Sequence, residues 1–352
     1  MASPSFPTLG RASKLSLLSL IGNVGSNDYP QSEGKTNNRT TEQLKTQPNN
    51  QTTKKMTDRQ WAGTTYGNDW MHRWLVRLLR VVPLGLMYWF VAIVIMPVTF
   101  AVNPNRKYIY TFYRRRLGKG RLGAAWMAYR NFCMFAQVVI DKFAIYAGRH
   151  FDIEVEGYEH YKRFATRNEG FIQLAAHVGN YEIAGFTLKA KKRINALVYY
   201  GEKESVMRSR GVVFDQMNIG MIPIGQGMDY VFEIASALSR GEIVSIVADR
   251  ALDTSSKTLS VTLFDKDASL PVGPFSIAAA QGLDVLMITV MKTKRKKYKI
   301  YVTPLDFDKS ARRAERQEQI ALLYSRELER RVREYPLQWY NYFDFWNDFV
   351  KP

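Results

Sequence analysis

The sequence predicts an α/β fold, a mostly parallel sheet flanked by helices, with an N-terminal hydrophobic helix ahead of it. Short apolar segments alternate with longer helical ones between residues 151 and 304. This alternation is typical of parallel sheets, because their strands are joined by helical crossovers. The chain has 352 residues, 46% of them hydrophobic, which is enough to bury a core.

The first 60 residues are predicted to form a disordered extension. Residues 22–58 are rich in Asn, Thr, Gln, Ser and Lys and lack apolar periodicity. The apolar patch at residues 15–21 is at the short limit for a secretory signal, and no clean small-x-small cleavage site follows it. The composition changes at Met56, so a translation start there would explain the whole extension.

Residues 61–120 are predicted to form a membrane anchor region around an uncharged run at 81–102. Twenty-two uncharged residues can cross a hydrocarbon core about 30 Å thick. The larger basic flank, including residues 114–116, follows the run and favours a cytoplasmic location for the domain at 121–352. Two alternatives remain open: a helix lying in one leaflet, since the run contains prolines, and a buried core helix.

The apolar pattern of residues 121–352 predicts the strands and helices of this domain. Strands are predicted at 151–155, 171–176, 197–200, 220–225, 243–248, 285–291 and 299–304, and helices at 123–148, 181–192, 228–240 and 315–333. The basic run at 292–297 is predicted to be a solvated hairpin turn or a contact for anionic lipid headgroups. The charges of 315–333 are expected on a solvated helix face.

The strongest functional signal is a histidine at a predicted strand end. The apolar run 171–176 leads to His177, Gly179 and Asn180 turn the chain, and Glu182 opens the next helix. Open α/β sheets bind ligands just beyond this edge. His177 can take a proton from a hydroxyl while Glu182 fixes its tautomer and stabilises the imidazolium. The alternative is a core histidine near a helix-start glutamate.

A charged pair follows a second predicted strand. Asp249 and Arg250 end the strand at 243–248, on the sheet edge predicted for His177. Arg250 can clamp a phosphate or carboxylate, and a structural salt bridge is the alternative. We take Gly179, Asn180, Asp249 and Arg250 as candidate substrate-binding residues.

The composition of the chain limits the classes of partner and cofactor that we expect it to bind. The net charge is +18, of which residues 1–60 supply +4, so the folded part is strongly basic and an anionic partner is expected. No nucleic-acid module surrounds the basic runs, which argues against nucleic acid. Cys133 is the single cysteine, so no Cys-rich metal site is expected. Gly225 and Gly227 lack the third glycine of a dinucleotide loop, and we expect no cofactor.

The block His177-Val-Gly-Asn-Tyr-Glu182 resembles the His-x-x-x-x-Asp/Glu signature of glycerolipid acyltransferases. It is similar to the form found in the bacterial lipid A biosynthesis late acyltransferases. The resemblance extends roughly over residues 61–346. It implies transfer of a fatty acyl chain from an acyl carrier protein (ACP) or CoA thioester to a lipid hydroxyl at the bacterial inner membrane. In that scheme His177 is the general base, Glu182 its partner, and no acyl-enzyme forms.

The C-terminal stretch departs from that family. Residues 335–346 lack its Pro-Glu-Gln segment and His-Arg-Arg run, which marks a divergent member and leaves the acceptor lipid open. The aromatic residues at 339–346 are expected to be core or an interfacial belt near the acyl-chain groove. An amine acceptor would make the reaction N-acylation.

Two other classes of protein are weighed. A lipid hydrolase using the same His/Glu pair would need a nucleophile or a metal, yet no Gly-x-Ser-x-Gly elbow or metal-spaced cluster is present. A non-catalytic basic membrane-binding protein would need no reactive histidine.

Overall fold

The computed structural model describes part of the chain. The described residues are 69–188, 191–199, 214, 217–224, 229–250, 257–346, 348 and 349. The predicted N-terminal extension, the start at Met56 and the glycine loop at 225–227 lie outside them.

A seven-stranded sheet organises the fold and confirms the mostly parallel α/β prediction. The strands are β1 Asp152–Glu156, β2 Phe171–Ala175, β3 Ile194–Tyr199, β4 Ile219–Ile224, β5 Ile243–Val247, β6 Thr258–Leu263, β7 Lys266–Pro271, β8 Val285–Lys294 and β9 Lys297–Pro304. The sheet order is β1-β9-β8-β2-β5-β3-β4, and β6 pairs with β7 in a separate hairpin. Within the large sheet, the β8–β9 hairpin is antiparallel and the other neighbours are parallel.

Helices cover both faces of this sheet. They are α1 Asp69–Val81, α2 Leu84–Val102, α3 Arg106–Thr111, α4 Arg121–Tyr146, α5 Tyr158–Ala165, α6 Glu182–Thr187, α7 Asp229–Ser239, α8 Val272–Ala280 and α9 Arg313–Glu334. Alternate strand residues enter two cores: Ile172 and Leu174 join α2, α4 and α9, while Phe171 joins α5 and α6. Two apolar faces explain why the central strands read as continuous hydrophobic runs.

Helix α2 is the apolar segment predicted from the sequence. Within the described residues it is the one helix long and apolar enough to cross a membrane. Its inner face, including Leu84, Val91 and Met96, is buried. Its outer face remains exposed, with Leu86, Trp89, Phe90, Ile93, Val94, Val98 and Val102.

The inner face of α2 packs along α4. Near one end of α2, the Tyr88 hydroxyl donates to Asp141 in the last turns of α4. Near the other end, Phe100 makes edge contacts with Tyr129 and Phe132 of α4. The helix is therefore attached to the α/β domain along its length.

Three sequence predictions about helix length and burial need correction. The helix predicted at 181–192 is α6, which ends at Thr187 because Leu188 leaves the helical conformation, with a ψ of 83°. Lys292, predicted to be solvated, is a buried strand residue. On α9, Arg331 turns inward from the face predicted to be solvated, and its guanidinium lies over the ring of Tyr301.

Candidate active site

Strand register brings His177 and Asp249 together. β2 and β5 are neighbouring parallel strands in which Ala175 is the register partner of Val247. His177 and Asp249 each lie two residues further on, at the carboxyl edge of the sheet. The His177 Nδ1 atom lies 2.7 Å from Asp249 Oδ1, and the His177 backbone N–H donates to Asp249 Oδ2 at 3.0 Å.

The charges of this pair define the tautomer. Asp249 is 2% exposed. Burial alone would raise its pKa, but the charge and hydrogen bonds of His177, together with Arg250, lower the pKa to about 2. Burial and the Arg250 charge lower the pKa of His177, against the opposing effect of Asp249.

At neutral pH the carboxylate is therefore charged and the imidazole is neutral. Nδ1–H donates to Asp249, which leaves the lone pair on Nε2 to accept a proton. The His177 side chain is 26% exposed, so a substrate can reach the ring.

The loop after His177 is clamped between β8 and the C-terminal segment. Gly179 has φ +55°, and a Cβ there would lie 1.9 Å from the Val290 carbonyl oxygen. The Gly179 N–H donates to the Gln338 carbonyl, and the Asn180 N–H donates to the Val290 carbonyl, both at 2.8 Å. The Asn180 side chain is buried and reaches the Val138 carbonyl at 3.4 Å. These contacts show that Gly179 and Asn180 shape the loop; their predicted role in substrate binding stays a prediction.

Glu182 does not occupy the position predicted for it. Its carboxylate accepts from Lys142 Nζ at 2.6 Å and from the Tyr146 hydroxyl at 2.9 Å, both on α4. The turn at Gly179 directs the start of α6 toward α4, whereas the parallel register places Asp249 at the imidazole. The predicted His177–Glu182 contact is therefore replaced by a His177–Asp249 contact.

Arg250 lies beside the pair. Its guanidinium donates to the Tyr340 carbonyl and lies 5.4 Å from the ring centre of Phe343. Asp249 is engaged instead by His177 and, at 3.5 Å, by the indole N–H of Trp339. Arg250 thus supplies a positive charge next to His177. Its predicted role as a clamp for a phosphate or carboxylate stays a prediction.

The C-terminal segment forms one wall of the site, and the sequence did not predict its backbone contacts with the His177 loop. The Tyr340 N–H donates to the His177 carbonyl at 3.1 Å, and Val178 bridges Trp339. Trp339, Phe345 and Trp346 are buried, so the core alternative is correct. The only advance signal was the density of aromatic residues, because a contact between segments more than 160 positions apart has no local pattern.

The geometry of His177 and Asp249 suits transfer of an acyl group straight to a hydroxyl, without an acyl-enzyme. A neutral imidazole backed by a buried carboxylate can deprotonate a hydroxyl as it attacks an acyl group. No group of three or more His, Cys, Asp or Glu able to hold a metal occurs among the described residues.

Comparison with known proteins defines the class of this chain. The model of the family described as bacterial lipid A biosynthesis acyltransferase matches residues 127–346, more than half of the chain, including His177 and Asp249. The chain is therefore an acyltransferase acting on lipid substrates. It belongs to the bacterial lipid A biosynthesis acyltransferase family.

The solved structures that match include one at low identity. The 1-acyl-sn-glycerophosphate (LPA) acyltransferase PlsC from Thermotoga maritima is 17% identical, with 76% of this chain and 99% of that chain covered and a TM-score of 0.36. A search of curated proteins finds no match.

Proposed function

We propose that the chain transfers a fatty acyl group from an ACP or CoA thioester to a hydroxyl of a lipid acceptor, with His177 as general base and Asp249 as its partner. The observation that carries the proposal is the 2.7 Å contact of His177 Nδ1 with Asp249 at the carboxyl edge of the sheet. The proposal keeps the predicted base and replaces the predicted partner, Glu182.

The proposed reaction is a single displacement through a tetrahedral intermediate. His177 Nε2 removes the acceptor proton while the acceptor oxygen attacks the thioester carbonyl. The C–O bond forms, the C–S bond breaks, and the imidazolium returns the proton to the leaving thiolate. Asp249 stabilises the imidazolium between these steps. An amine acceptor would follow the same course to an amide.

The basic charge of the chain supports an anionic donor. ACP is an acidic protein and CoA carries phosphates, so a net charge of +18 attracts both. Arg250, next to His177, is the residue we assign to the anionic part of a substrate.

The exposed face of α2 supports action at a membrane. The large apolar residues exposed along the outer face of α2, among them Trp89, are typical of a membrane or protein contact, and Trp126 of the neighbouring α4 is exposed as well. Because α2 packs along α4 from end to end, this supports the alternative in which the helix lies in one leaflet rather than crossing both. We place the domain on the cytoplasmic side of the bacterial inner membrane.

The β8–β9 hairpin extends this membrane surface. The Tyr88 hydroxyl of α2 lies 3.4 Å from the Arg295 carbonyl oxygen, so the hairpin tip lies beside the start of α2. Lys294, Arg295 and Lys296 are exposed there, and within the described part of the chain no carboxylate pairs with them. We assign these three cations to anionic lipid headgroups.

The experiment is acyl transfer by the purified full chain. Acyl-ACP or acyl-CoA is incubated with lipid from a deletion strain, and products are read by mass spectrometry. An acylated lipid that the wild type makes and His177→Ala does not would support the proposal, with His160→Ala on α5 as the matched control. Free fatty acid without acylated lipid would indicate a hydrolase, and no turnover with any donor would indicate a binding protein.

A further inference from the structure

Two consecutive residues of α4 hold the segments on either side of the His177 loop. Lys142 pairs with Glu182, the first residue of α6, at 2.6 Å. Asp141, its neighbour, pairs with Lys292 near the end of β8. The loop that carries His177 runs between these two ion pairs.

The ion pair between Lys142 and Glu182 is largely shielded from solvent. The Lys142 and Glu182 side chains are 23% and 9% exposed. The Tyr146 hydroxyl, one helical turn along α4, donates to the second oxygen of the same carboxylate. Glu182 is thereby held against α4, and the end of the loop is held with it.

The ion pair between Asp141 and Lys292 is buried. The side chains of Asp141 and Lys292 are 0% and 4% exposed, and Asp141 also accepts from the hydroxyls of Tyr88 and Tyr298. Removing one member of such a pair leaves an uncompensated buried charge, which is strongly destabilising. The Tyr88 contact joins the apolar helix α2 to the same group.

The buried pair is linked to the loop by backbone hydrogen bonds. The peptide N–H and C=O of Lys292 each bond to the carboxamide of Gln338 at 2.8 Å. The Gln338 carbonyl in turn accepts from the Gly179 N–H at 2.8 Å. Displacing Lys292 would therefore displace the residue two positions after His177.

We infer that Glu182 is a positioning residue that acts on His177 through Lys142 and Tyr146, and that Asp141 with Lys292 holds the other side of the loop. The inference rests on the proposed function. Asp249 occupies Nδ1 of His177, and Nε2 must remain open for the acceptor, so the imidazole offers Glu182 no site. The five-residue spacing from His177 to Glu182 then sets the length of the loop.

The first test is the pKa of His177, read by NMR on histidine-labelled protein, which holds four histidines. Asp249→Asn should lower this pKa, because the carboxylate that favours the imidazolium is lost. Glu182→Gln and Lys142→Met should leave it unchanged. A shift in Glu182→Gln as large as in Asp249→Asn would overturn the inference.

The second test is kinetic. Lys142→Met and Glu182→Gln should both lower kcat, by about tenfold to a hundredfold, with little change in KM, because the base is displaced rather than removed. The charge-reversed pair Lys142→Glu with Glu182→Lys should recover part of the loss, and Lys162→Met on α5 serves as the control. The inference would be refuted if the Lys142→Met variant kept wild-type turnover while the Glu182→Gln variant was inactive. A wild-type chain with no acyl transfer would remove the proposed function, while the NMR test would still decide where Glu182 acts.

Discussion

The ring of His177 has one nitrogen engaged and one available. Its Nδ1 faces a carboxylate that stays ionised, because contact with the imidazole lowers the pKa of Asp249 to about 2 despite burial. Proton affinity at Nε2 therefore depends on Asp249, while the nearby Arg250 opposes protonation. In the proposed mechanism, burial and Arg250 keep the His177 imidazole neutral before reaction, and Asp249 stabilises it once it has accepted a proton.

The first prediction concerns these three residues. His177→Ala should lower kcat by about a hundredfold to ten-thousandfold, the usual contribution of a positioned base. Asp249→Asn should cause a loss of similar order, since the amide can hold the ring but cannot stabilise the imidazolium. Arg250→Ala should raise KM more than it lowers kcat. Steady-state kinetics test all three, and a folded His177→Ala protein with near wild-type turnover would contradict the mechanism.

The second prediction is a pH profile. Burial and Arg250 lower the pKa of His177 below its ordinary value of 6.5, and only the neutral imidazole can accept a proton. Turnover should therefore rise with pH through a pKa below 6.5 and be level above neutrality. Asp249→Asn should move this acidic limb to still lower pH. If the acidic limb of the wild-type pH profile showed a pKa above 6.5, this would count against His177 as the base.

The loop between β2 and α6 depends on a close backbone approach. Gly179 adopts a left-handed φ of +55° and lies against the Val290 carbonyl, where no side chain fits. The same turn gives its N–H to Gln338, so the loop, β8 and the C-terminal segment form one unit.

The third prediction tests this element. Gly179→Ala should lower both the melting temperature and turnover, because it adds a clash with backbone to an unfavourable φ. Gly273→Ala is the control: it lies in α8, where a Cβ meets nothing within 4 Å, and alanine there should keep or raise stability. Thermal unfolding and turnover of both variants supply the comparison. A Gly179→Ala protein as stable and active as Gly273→Ala would show that the loop tolerates another path.

At the scale of the molecule, the described residues include a strongly apolar surface, the outer face of α2, beside a basic hairpin. The outer face of α2 is exposed although its inner face belongs to the main core. Both ends of α2 contact α4, so a helix crossing both leaflets would draw the α/β domain into the hydrocarbon. Insertion of the outer face into one leaflet avoids this cost.

The fourth prediction addresses the membrane. The full chain should stay in the pellet after high-salt and alkaline washes, because salt screens only the electrostatic part of attachment. Ile93→Lys, at a position 55% exposed on α2, should shift protein toward the supernatant. Tyr158→Lys, at a position 40% exposed on α5 across the sheet, should not. Release of the wild type by salt alone would contradict this prediction, because it would show that the attachment is purely electrostatic. A reporter fused to the C-terminus should behave as cytoplasmic.

Local pattern was sufficient for much of this molecule. The apolar runs predicted the central strands and α2, because burial on both faces leaves a continuous hydrophobic signal. His177 was placed at a strand end because a small-residue turn follows it directly. Alternating strands and helices predicted the parallel sheet, since short connections leave few other arrangements.

Tertiary structure alone decided which groups meet. Asp249, 72 positions from His177, is its partner because β2 and β5 are adjacent and in register, and register is a property of the sheet rather than of either strand. Lys292 lies in a basic run yet is buried, because Asp141 is brought to it by the packing of α4. Periodicity and turn chemistry are local and can be read from the chain, whereas contacts across the sheet depend on which elements become neighbours.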